Sequence, residues 1–190
     1  MSDTPIPAQV LAVCTGNICR SPAVERLLAA RFAGTDVQVS SAGTHAVVGH
    51  GMSVPMVPLV EAAGADASGF AARQLTADLV RGADLVLTLT RQHRSAVVEL
   101  APATVRRTFT LRELERLLAH VDPSALQAAG ATPAQRLRAL PALAASVRHV
   151  APRGDDDVVD PIGGGDALYR TSFAQLSPGV TALADALLHP

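Results

Sequence analysis

Apolar positions change their spacing several times along the chain, and each change marks an element. Val10-Leu11-Ala12-Val13 is a continuous apolar run, short enough for a buried strand. Val24, Leu27, Leu28 and Phe32 then recur at helical spacing and predict a helix over residues 23–32. Pro22 suits a first helical position, where a missing N–H costs nothing. Thr35-Asp36 breaks that pattern. Val37 and Val39 among polar neighbours predict a second strand, which ends at Ser41-Ala42-Gly43. Gly49, Gly51, Pro55 and Pro58 mark a loop leading into a short helix over 57–63, stopped at Gly64. A second short helix is predicted over 75–81, with Thr76 as its cap and Asp78 in its first turn. Residues 85–89 are almost uniformly apolar, as a central parallel strand requires. A helix over 91–100 closes at Pro102, a fourth strand is predicted over 104–111, and a last helix over 166–187. Strands alternating with helices predict an α/β fold, a four-stranded parallel sheet with helices on both faces. The loop after the first strand then lies at the carboxyl end of the sheet, where such folds place ligands.

Residues 112–155 break the alternation. Leu114, Leu117, Leu118 and Val121 form one amphipathic stripe, and Leu137, Leu140, Leu143 and Val147 form another, interrupted by Pro141. Pro123, Gly130 and Pro133 lie between them. Two helices joined by a turn are expected, as a helical insertion in a single domain spanning residues 1–190. Arg112, Arg116, Arg136, Arg138, Arg148 and Arg153 make this segment basic. They read either as a solvated face or as a docking surface.

Composition narrows the function classes. A chain of 190 residues, 48% hydrophobic, folds rather than staying disordered. It can bury about 70% of its unfolded surface. A net charge of −1 leaves no general nucleic-acid footprint. All sixteen basic residues are arginine, which with the abundant alanine fits a GC-rich coding genome. Met1 to Pro5 lacks the basic and apolar regions of a secretion leader, and no apolar run reaches membrane-span length. The two cysteines sit in one loop, without metal-ligand spacing, so neither a disulfide framework nor a metal site is expected. A reducing cytoplasm is the expected compartment.

That loop carries the chemistry. Cys14-Thr15-Gly16-Asn17-Ile18-Cys19-Arg20-Ser21 joins the first predicted strand to the first predicted helix. A loop feeding a helix N-terminus is an anion cradle, because free backbone N–H groups and the positive dipole end converge there. A cysteine in such a place, beside an arginine, is a candidate nucleophile. Arg20 offers a planar fork that can hold two phosphate oxygens at once. Gly16 and Asn17 tolerate left-handed backbone angles. Ser21 can hydrogen-bond the Cys14 sulfur or cap the helix. Cys14 and Arg20 are therefore catalytic candidates, and Thr15, Gly16, Asn17, Ile18, Cys19 and Ser21 are candidates for holding the substrate phosphate.

Cys14 to Pro22, CTGNICRSP, resembles the phosphate-binding loop of the low-molecular-weight protein tyrosine phosphatases. Val39 to Thr44, Ala72 to Leu75, Ala83 to Thr88 and Asp160-Pro161 follow that family's order and approximate spacing. The resemblance is to the bacterial branch. It implies a cysteine-dependent phosphatase acting on phosphotyrosine in proteins, or on a small aryl phosphate, through a phosphocysteine. Asp160 would protonate the leaving oxygen and then activate water, with Asp157 as second choice. No cofactor or metal is called for.

Three departures from the family pattern bear on the substrate. Ile162 follows Asp160-Pro161 where many relatives carry an aromatic residue. Val47, Val48 and His50 stand where animal enzymes use a tryptophan. Phe70 replaces a histidine that supports the loop asparagine in some relatives, so Asn17 needs other partners, with Ser21 and Ser41 as candidates. The substrate ring would then be gripped by aliphatic walls. Cys19 reads as a loop residue lending its N–H to phosphate. The resemblance also suggests a reversible Cys14–Cys19 disulfide under peroxide. Three other functions share the loop. An arginine phosphatase is favoured by Gly163-Gly164-Gly165 and disfavoured by Ile18, where arginine-specific relatives carry threonine. An arsenate reductase of the thioredoxin-coupled kind needs cysteines beyond residue 20, and none follows. An inactive phosphate-binding module would not need Cys14, Arg20 and Asp160 together.

Overall fold

The computed structural model describes residues 6–190. Residues 1–5, on which the reading against a secretion leader rests, lie outside the described residues. Four parallel strands form one sheet in the order β2-β1-β3-β4: β1 (Ala8–Cys14), β2 (Val37–Gly43), β3 (Leu85–Thr88) and β4 (Thr108–Thr110). In register, Val10 pairs with Val39 on one side and Leu85 on the other, and β1 is flanked on both sides from Val10 to Val13.

The alternation of side chains along β1 builds two cores. Val10 and Ala12 face a large cluster with Leu85 and Leu87. It is closed by α1 (Arg20–Arg31), α5 (Leu111–Leu118), α7 (Pro133–Ser146) and α8 (Asp166–Leu188). Leu11 and Val13 face a smaller cluster, closed by Val80 of α3 (Ala77–Gly82) and Val97 of α4 (Arg91–Leu100). Helices on both faces explain why Val10 to Val13 of β1 and Leu85 to Leu87 of β3 are apolar without a break rather than alternating. The short α2 (Val57–Ala62) adds Val60 to the larger cluster. No described helix is long and apolar enough to cross a membrane.

Two expectations are corrected. The fourth strand is only Thr108–Thr110, preceded by a 3-10 turn at Pro102–Arg107. Thr104 Oγ1 donates to Ala101 O (2.7 Å) and Thr108 Oγ1 to Thr104 O (2.8 Å), so local carbonyls are taken by hydroxyls and held in the turn. Leu111, expected in the strand, opens α5 because Thr110 caps the Glu113 N–H. The segment after it holds three helices rather than two, with α6 (Pro123–Ala129) between α5 and α7. Asp122 and Thr132 are the caps that divide them, and Pro141 sits inside α7 without ending it. Leu111, Leu114 and Leu117 are buried against α8. Gly179 of α8 permits this, since a Cβ there would lie 2.7 Å from Leu111 Cγ.

Candidate active site

Cys14 ends β1 and is 2% exposed. The loop from it enters α1 at Arg20, which places Pro22 third in the helix, still in the turn whose N–H groups have no partner inside the helix. The first bond of α1 is Ala23 N to Cys19 O (3.1 Å). No acidic residue occupies its first turn and no side chain caps it. The carbonyls of the loop are spoken for: Thr44 N donates to Cys14 O (2.9 Å), His45 N to Thr15 O (3.0 Å), Val47 N to Gly16 O (3.0 Å) and Ser53 N to Ile18 O (2.7 Å). Among the described residues, no amide of residues 15–19 donates to a protein acceptor. Free donors at an uncapped helix start make an anion cradle.

Asn17 holds the cradle's shape. Its φ is 52°, so the left-handed angle falls on Asn17 and not on Gly16. It is fully buried. Nδ2 donates to Ser21 Oγ (3.0 Å) and Ser41 Oγ (2.8 Å), the two partners expected of it. Oδ1 accepts from Arg73 N (2.9 Å), which was not foreseen. Because Ser21 Oγ accepts from Asn17, its own proton is free for the Cys14 Sγ, 2.9 Å away. Ser21 thus serves the sulfur and not the helix cap. On the other branch, Ser41 Oγ donates to Glu25 Oε2 (2.5 Å), and burial raises the Glu25 pKa. Gly43 closes on the loop from β2: a Cβ there would sit 2.4 Å from Thr15 O.

A cavity of about 350 Å³ lies beside residues 151–156, and a smaller one of about 250 Å³ opens over Cys14. The second matters for chemistry, since Thr15, Arg20, Ile18, Val47, Asp160 and Ile162 line it. Arg20 Nη2 meets Asp160 Oδ2 at 2.6 Å and Nη1 donates to Val158 O (3.0 Å). Arg20 is buried, while Asp160 is about half exposed at the rim. Asp157 faces elsewhere, accepting from Arg91 N (2.8 Å). Cys19 is buried beside Tyr169, its Sγ 3.8 Å from the Tyr169 Oη, which in turn lies 2.9 Å from Ser53 Oγ. Burial pushes the Cys19 thiol up, so it stays protonated at neutral pH.

His93 was missed in the sequence. It lies on α4, 5% exposed, with Nε2 2.9 Å from Thr15 Oγ1. Burial, and then the Arg20 charge, bring its pKa down to about 4, so the ring is neutral at pH 7. The available signal was its spacing: His93 stands four residues before Val97, on the same buried face of α4.

A family model for the low molecular weight phosphotyrosine protein phosphatases matches residues 9–124. The low molecular weight protein-tyrosine-phosphatase Etp of Escherichia coli K12 is 41% identical over 100 residues, 53% of this chain and 66% of that protein. The matched stretch thus spans just under two thirds of that relative. The crystal structure of the Erwinia amylovora tyrosine phosphatase AmsI superposes with a TM-score of 0.69 at 22% identity, over 100% of this chain and 99% of that one, a likeness of fold. The YwlE arginine phosphatase from Geobacillus stearothermophilus gives 0.67 at 28% identity, over 94% of this chain and 92% of its own.

Proposed function

This chain belongs to the low molecular weight phosphotyrosine protein phosphatase family, and from that premise we propose that it hydrolyses phosphotyrosine in proteins through a phosphocysteine at Cys14. The observation that carries the reading is one constellation: a sulfur at a cradle of free amides, Ser21 Oγ beside it, and Arg20 bridging toward Asp160.

Cys14 Sγ attacks phosphorus in line, forming S–P as the P–O(aryl) bond breaks. The amides of Thr15 through Cys19 and the fork of Arg20 hold the equatorial oxygens. Arg20 exchanges Asp160 and the Val158 carbonyl for the phosphoryl group, which turns the Asp160 carboxyl toward the leaving phenolate. Asp160 gives its proton to that oxygen. It then takes one from water, whose oxygen attacks phosphorus; S–P breaks, the thiolate returns and inorganic phosphate leaves. Preorganised donors supply most of the acceleration, and the acid about 10²–10⁴ of it.

Aliphatic walls support an aryl substrate. A Cβ on Gly16 would lie 3.4 Å from Ile18 Cγ1 and 3.7 Å from Val47 Cγ2, so both side chains close over the loop. Ile162 stands opposite, 52% exposed. Phosphoarginine is the second reading, favoured by the likeness to YwlE. Against it, Asp160 is the one carboxylate lining the pocket among the described residues, and a guanidinium would find an apolar surround. We place the enzyme in the bacterial cytoplasm, where Cys14 stays reduced, and treat residues 112–155 as a helical addition to a single domain.

Hydrolysis of para-nitrophenyl phosphate by wild type, Cys14→Ser and Asp160→Asn, followed by phosphotyrosine and phosphoarginine peptides, tests the proposal. Loss of turnover in Cys14→Ser with preference for phosphotyrosine is expected. Full activity in that variant would remove Cys14 as the nucleophile and the phosphocysteine with it, and a preference for phosphoarginine would overturn the substrate.

A further inference from the structure

The segment that delivers Asp160 has no regular secondary structure from Pro152 to Asp160, yet it is tied down at almost every residue. Arg91, first in α4, gives its amide to Asp157 Oδ1 (2.8 Å). Its guanidinium holds Asp156 Oδ2 through Nε (3.1 Å) and Nη2 (3.0 Å), and Nη2 also reaches Gly154 O (2.8 Å). From α5, Arg116 pairs with the other Asp156 oxygen and donates Nε to Pro152 O (3.1 Å). Arg112 Nη1 holds Asp155 Oδ2 (3.1 Å) and Asp157 O (2.9 Å). Val158 N donates to Leu89 O (2.8 Å), which attaches the segment just beyond β3.

The α5 arginines are therefore neither a solvated face nor a docking surface. Each side chain is 26% exposed and is used inward, against the acid segment. Asp160 follows Asp157 by three residues, a reach of at most about 11 Å along the backbone. Where Asp157 is held, Asp160 is held within that radius.

We infer that Arg112 and Arg116, together with Arg91, are positioning residues that fix the reach of Asp160 over Cys14. This rests on Asp160 being the proton donor. The chemistry favours arginine at position 116: the rigid plane of one guanidinium sets the Asp156 carboxylate and the Pro152 carbonyl at a fixed angle, which a freely rotating lysine ammonium does not impose. A proton donor displaced by about 1 Å can lose about 10²-fold in rate, and that loss depends on how much the leaving group needs the proton.

The test is kcat/KM across aryl phosphates from dinitrophenyl phosphate, whose leaving group departs unaided, to phenyl phosphate, whose leaving group does not. The double variant Arg112→Gln/Arg116→Gln is compared with wild type and Asp160→Asn. We expect a fall of about tenfold or more on phenyl phosphate and less than about twofold on dinitrophenyl phosphate, with the inhibition constant of inorganic phosphate unchanged. Asp160→Asn should show the same tilt, more steeply. Should the double variant fail to fold, Arg91→Gln and Arg116→Lys read the same slope. Equal losses across the series, or none, would overturn the inference while leaving Asp160 as the acid. A flat series for Asp160→Asn would overturn the acid assignment, and the inference with it.

Discussion

Lowering the pH should cost this protein stability through His93 in particular. An unfolded histidine titrates near pH 6.5, while in the folded chain burial, then the Arg20 charge, hold His93 at about 4. Between those values the unfolded chain binds a proton that the folded chain does not. Stability therefore rises with pH through the window and is lost as pH falls from about 6.5 toward 4. Integrated to about pH 4.5, the loss from this one group is about 2.5 kcal/mol, against a total of only about 5–15 kcal/mol for a domain. Urea unfolding without phosphate, at about pH 7.5 and about pH 4.5, measures it in wild type and in His93→Gln. Glutamine does not titrate and can keep a hydrogen bond to Thr15. Other groups, Glu25 among them, contribute to both proteins and cancel in the comparison. Wild type should lose about 2.5 kcal/mol more than the variant between the two conditions. Parallel losses would show that His93 is not held neutral by the fold, and the placement of its ring behind the phosphate loop would be wrong.

Gly43→Ala should destabilise by about 1–3 kcal/mol and lower kcat/KM together, because the new methyl would sit 2.4 Å from Thr15 O and push the loop out of shape. A thermal melt and a turnover assay check both effects, and a neutral variant would mean the strand and loop have room to separate. Cys19→Ser should turn over normally but fail to recover, on adding thiol, the activity lost to peroxide, since no neighbouring sulfur would shield Cys14 from overoxidation. Unchanged recovery would reject that protective role.

What could be read in advance follows from how local each determinant is. Residues 14–22 are contiguous, so their spacing exposes strand, loop and helix at once, and Asn17 could be assigned Ser21 and Ser41 because its usual support is replaced by Phe70. The helix caps at Thr76 and Thr110 use neighbours three residues away, yet only the first was foreseen. At Thr110 the alternation of Phe109 and Leu111 with threonines imitates a longer strand. His93, Arg73 and Glu25 act on the loop from 78, 56 and 8 residues away, counted from Thr15 for the first and Asn17 for the others. No periodicity encodes such a meeting; the parallel sheet and the bridge from Gly43 to Gln74 bring it about. The arginines of α5 were misjudged for a related reason. Charge on a helix looks solvated until the carboxylates of a distant segment are laid across it.

Everything in the account turns on whether the Cys14 sulfur carries the phosphoryl group. Rapid acid quench during turnover of an aryl phosphate, followed by mass spectrometry of the peptide containing residues 14–20, addresses this directly. A peptide heavier by one phosphoryl group is expected, with the adduct on Cys14, accumulating further in Asp160→Asn, where water is poorly activated. Steady turnover with that peptide unmodified at every quench time, and no loss of rate in Cys14→Ser, would contradict it.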